Sequence, residues 1–128
     1  MTKKASEIIS DFLQLLRESE PDYEYNYGEV HRMDLLETDI AHKFELVGMT
    51  HHQYAALGKK VRECRQERRV YKDRVELLEP IRDYYLGNKK AYNDITRLIG
   101  DIRKVEKQQE DRCYMPRIMT MEEWKNGN

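Results

Sequence analysis

Two cysteines, three prolines and six glycines are all that this 128-residue chain contains. Cys64 and Cys113 are too few for a disulfide framework, so two free thiols in a reducing cytoplasm are expected. So few prolines, and no Ser/Gly tract, exclude a low-complexity linker. No apolar run approaches the ~20 residues that a membrane-crossing helix needs. The opening MTKKASEIISDFLQLL is basic and then apolar, but Ser10, Asp11 and Gln14 interrupt it, so it does not read as a signal-peptide core. An excess of one charge is also missing. The 23 basic and 24 acidic residues leave a formal charge of -1, which argues against an acidic tail or a generally basic nucleic-acid coat.

What is present is charge in bulk and helical periodicity. Charged residues make up 37% of the chain and hydrophobic ones 39%, so the core must be thin. A thin core on long helices is often completed by a second copy of the chain. The length suits one domain, 1–128. An N-terminal helix is expected within 1–20, with Ile8, Ile9, Phe12, Leu13, Leu15 and Leu16 on a broad apolar face and Pro21 ending it. Tyr23, Tyr25 and Tyr27 then alternate, which favours a loop or helix entry; read as helix, only Tyr23 and Tyr27 share a face.

A long helical hairpin is predicted over 30–79. Its first arm buries Val30, Met33, Leu36, Ile40, Phe44 and Val47, and Gly48 suits a left-handed cap. Thr50 and Gln53 form a capping box, with Met49 and Tyr54 placed for a hydrophobic staple. From there Tyr54, Leu57, Val61, Cys64, Arg68, Tyr71, Val75 and Leu78 step by three and four, a heptad seam ending or kinking at Pro80. Ile81, Tyr84, Tyr85 and Leu86 form a brief apolar turn closed by Gly87 and Asn88. A further helix over 89–111 turns Tyr92, Ile95, Leu98, Ile99, Ile102 and Val105 inward. Residues 112–128 read as an extended tail, with Thr120 and Glu123 capping a short helix around Trp124. The fold class is all-α: an antiparallel helical hairpin or bundle with long central helices, completed by homo-oligomerisation.

Arg68 stands in the seam where an apolar residue is expected, and a buried guanidinium needs a partner. Folding the hairpin about 48–50 brings it near His31 and Asp34. A structural ion pair with Asp34 is the plainer reading; an anionic ligand is the sharper one. Arg62, Arg65, Arg69 and Lys72 make a basic rib beside it, interleaved with Glu63, Glu67, Asp73 and Glu76. Such ribs are mostly solvated faces, yet a compact phosphate needs only a few arginines. The hairpin alignment brings Tyr27 towards Tyr71, one seam step from Arg68, and flat rings beside arginine suit a nucleotide base. The histidines and carboxylates do not assemble a metal set, since His31 and His42 lie roughly 16 Å apart along one helix. There is no Gly-rich phosphate loop, Walker pattern or nucleophile elbow, so no cofactor and no enzyme activity are expected. Duplex DNA is disfavoured by the absence of a helix-turn-helix or zinc-finger pattern.

The run ALGKKVRECRQERRVYKDRVELLEPI, then a helix, then DRCYMPRI, resembles small helical accessory proteins of phages and prophages of Gram-positive bacteria. That resemblance implies a non-catalytic protein in a bacterial cytoplasm, either a sponge for a cyclic nucleotide signal or a regulator that binds a host protein. A nucleic-acid-binding protein is the more distant alternative. For the sponge, the candidate ligand-binding residues are Arg65, Arg68, Arg69 and Arg117 for phosphate, and Tyr27, Tyr71 and Tyr114 for bases.

Overall fold

The computed structural model describes residues 2–126. Among them lie four helices and no strand: α1 Ala5–Leu46, α2 His51–Gly87, α3 Lys89–Glu110 and α4 Met121–Lys125. The short link after α1 folds α2 back along it. Phe44 stacks on Tyr54 at 5.7 Å near the turn. Cys64 meets Met33 further along, and Arg82 lies over Tyr23 further still. α3 also runs antiparallel to α1, because Tyr92 meets Arg17, Glu106 meets Ser6 and Glu110 meets Lys4. α2 and α3 therefore lie end to end against one rod of 42 residues, about 63 Å long. Asn88 breaks them apart with a non-helical backbone (φ -134°, ψ 42°).

α1 carries two stripes at spacings of three and four. One runs Ser19, Tyr23, Asn26, Val30, Met33, Glu37 and Ile40 and lies under α2, with Ser19, Met33 and Ile40 buried. The other, Ser6, Ile9, Leu13 and Leu16, lies under α3, where Leu13, Leu16 and Ile99 form a cluster with Ile81, Tyr85, Tyr92 and Ile95. α2 buries Leu57, Cys64 and Leu78 from the predicted seam. Only eight apolar side chains are fully buried among the described residues. The exposed surface of 10465 Å² compares with about 7,200 Å² for a compact monomer of 15.5 kDa. The molecule is drawn out, and much of it lacks a second layer.

Several local expectations are corrected. Pro21 does not end a helix; it lies within α1. An interior proline costs roughly 3 kcal/mol and leaves the Arg17 carbonyl without its donor. Pro21 faces solvent, so water can reach that carbonyl. Meanwhile Leu16 and Ser19 before it, and Tyr23 and Asn26 after it, pack inward, and that burial offsets the cost. Tyr23, Tyr25 and Tyr27 are consequently helical, and Tyr23 stacks with Tyr27 at 5.9 Å. Pro80 likewise sits inside α2, so Ile81 to Leu86 continue the helix rather than forming a turn. Gly48 takes no left-handed conformation; α1 closes on an extended Val47 whose N–H donates to the Lys43 carbonyl. Leu98 and Val105, expected inward, are exposed, because α3 meets only one other helix along most of its length. The Thr50–Gln53 capping box forms in both directions, and Thr120 caps α4 by accepting from the Glu123 N–H.

Candidate functional site

The hairpin register decides which charges meet. With α1 and α2 antiparallel, Arg68 falls opposite Asp34 and Arg65 one turn away opposite Glu37. Arg68 Nε donates to Asp34 Oδ1 at 2.6 Å. Arg65 approaches Glu37 Oε1 through both Nε and a terminal nitrogen at 2.7 Å. These four side chains, with Arg69, Lys72, Asp73 and Glu76, line an open groove of about 450 Å³ along the hairpin.

The arrangement has a consequence for anions. Asp34 takes the Nε edge of Arg68, and no hydrogen bond occupies its two terminal nitrogens among the described residues. A guanidinium held this way presents its fork, the geometry suited to a phosphate or carboxylate. Arg69 and Lys72 line the same groove without an ion-pair partner among the described residues. Against them stand Asp73 and Glu76, also unpaired among the described residues, so four cations meet four carboxylates in the lining. Arg68 is about one-third exposed, so the groove is wet and its field is screened.

Of the residues anticipated from sequence, Arg65, Arg68 and Arg69 are brought together. The aromatic candidates are not. Tyr27 is exposed and stacks on Tyr23. Tyr25, rather than Tyr27, meets Tyr71, edge to face at 6.4 Å, because two residues along a helix turn a side chain by about 200°. Tyr71 stays one turn from Arg68, and burial, reinforced by Tyr25, raises its hydroxyl above the usual range. Tyr114 packs against Trp124 at 5.2 Å. Neither Tyr114 nor Arg117 lines the groove, and among the described residues no hydrogen bond or ion pair ties 112–126 to the long helices. Glu37 was missed. Its signal was available, since the register that sets Asp34 against Arg68 sets Glu37 against Arg65.

Cys64 is a packed thiol. Its Sγ donates to the Met33 carbonyl at 3.3 Å, and burial, with Glu37, Glu67 and Asp34 in support, pushes its pKa up. That is the opposite of what a nucleophile needs. Among the described residues no group of three or more His, Cys, Asp or Glu is placed to hold a metal ion. No described helix is long and apolar enough to cross a membrane. Compared with protein-family models, with curated proteins and with solved structures, the chain matches none.

Proposed function

We propose that this is a non-catalytic binding protein whose hairpin groove takes a small phosphate-bearing ligand, a nucleotide signal being the class it suits, and holds it without turnover. The observation that carries the reading is the Nε-held Arg68, whose open fork shares a groove with Arg69 and Lys72, neither ion-paired among the described residues. No tyrosine lines this groove, so the phosphate rather than a base would carry the recognition. Asp73 and Glu76 oppose the ligand, so binding is expected to be modest and salt-sensitive. In this reading the chain is also homo-oligomeric, because a single copy leaves so much surface uncovered.

Titration calorimetry with cyclic dinucleotides, cyclic trinucleotides and inorganic pyrophosphate tests the groove. Heat with at least one of them, lost in Arg68→Ala at unchanged helicity, supports the reading. No heat from any of them at micromolar protein would overturn it. A second reading, a regulator that docks on another protein, draws on a different observation. The tail exposes Tyr114, Met115, Ile118 and Trp124, and α1 carries Glu18, Glu20, Asp22 and Glu24 close together. A tail-deleted chain would then lose a bound protein that the full chain retains.

A further inference from the structure

The stripe of α1 that lies under α2 does not stop at Ser19. The same spacing continues through Leu15, Phe12 and Ile8, but these three are 42%, 47% and 55% exposed. The last turns of α2 flank Phe12 and Leu15 on one side only, and α3 settles on the neighbouring stripe of Ser6, Ile9, Leu13 and Leu16. An apolar groove of about 360 Å³ is left, lined by Phe12, Leu15, Leu16, Pro80, Ile81 and Tyr84. Its lining has almost no polar surface. It lies roughly 33 Å along α1 from Asp34, well away from the arginine groove.

We infer that a second copy of this chain covers this groove, with the two α1 segments antiparallel and Phe12 near the two-fold axis. This rests on the homo-oligomer reading above and names its surface. Two observations converge on that occupant. The stripe already accepts an antiparallel helix along the rest of its length, and Ile8, Phe12 and Leu15 are themselves such a helical stripe. They sit almost evenly about Phe12, so one copy's residues fall opposite the other's, as a self-complementary interface requires. Finally, the chain exposes roughly 3,000 Å² more than a compact monomer of its mass, far beyond the roughly 800 Å² per partner of a standard interface.

Sedimentation equilibrium on the full chain gives the first result. A mass twice 15.5 kDa is expected; a monomer across the micromolar range would overturn both this surface and the homo-oligomer reading. Phe12→Asp should weaken the dimer at least tenfold while circular dichroism stays helical. A dimer unchanged in Phe12→Asp would overturn this surface and leave the homo-oligomer reading standing. If Phe12→Asp fails to fold, Phe12→Cys in a Cys113→Ser background decides. Mild oxidation should cross-link two copies at position 12, and absence of that product would overturn the proposal.

Discussion

Arg68 and Asp34, 34 residues apart in sequence, meet across the hairpin through Nε and Oδ1 at 2.6 Å. The pair is well within reach of water, since both side chains keep a third or more of their surface exposed. An ion pair of this kind contributes only about 0.2–1 kcal/mol to stability. Arg68→Ala is therefore expected to lower the melting temperature by less than about 5 °C, while removing most phosphate binding. Scanning calorimetry checks the first half. A drop far beyond that size would mean that Arg68 holds the fold rather than the ligand.

Asp73 and Glu76 should act against any anion in the groove. Asp73→Asn combined with Glu76→Gln removes two nearby negative charges, each worth on the order of 1 kcal/mol in a wet site. Affinity for pyrophosphate or a cyclic nucleotide should rise about tenfold, a change of ~1.4 kcal/mol. The gain should shrink as salt is added. Calorimetry at two salt concentrations reads both effects.

Pro21 sits in an uninterrupted helix, with its ring towards solvent. Pro21→Ala supplies the missing N–H to the Arg17 carbonyl and removes a helix breaker. Stability should rise by about 1–3 kcal/mol, visible in urea unfolding. A loop at this point would yield almost no change, so the measurement separates the continuous rod from a broken one.

Met33 and Leu78 have almost no exposed surface. Truncating either to Ala should cost about 2–5 kcal/mol. Against a total stability of roughly 5–15 kcal/mol, and with so few buried side chains, Leu78→Ala is expected to be partly unfolded at 37 °C. Circular dichroism melts will show it.

The two thiols should differ sharply. Cys113 is exposed and Cys64 buried, so a thiol reagent at neutral pH should modify one cysteine quickly and the second only on unfolding. Burial raises the Cys64 pKa above the ordinary 9.0. The folded chain therefore holds that proton more tightly than the unfolded chain does. The stabilisation is fully present below pH 9 and is lost as pH climbs from 9 through the higher folded value. Cys64→Ala should lack that alkaline component when the two melting curves are compared.

Much of this architecture was legible in the residues. The Thr50–Gln53 box, the tight link at 48–50 and the seam from Leu57 to Leu78 are local patterns, and each appears in the structure. They sufficed to place Arg68 beside Asp34. The tyrosine contact was not legible, because whether Tyr25 or Tyr27 meets Tyr71 depends on how far α1 is rotated against α2. The position of the tail was not legible for a related reason: nothing in Tyr114 or Arg117 says where a segment without helical periodicity will lie.

By itself the sequence determined that the chain is helical, where α2 begins and which residues share a face, since capping and periodicity act within a few turns. Tertiary structure decided the rest. It carried α1 and α2 through Pro21 and Pro80, because packing on both sides of a proline outweighs one lost hydrogen bond. It also chose which of the two apolar stripes at the start of α1 would be covered. That choice depends on where α2 runs out and α3 lands, and no short-range pattern contains it.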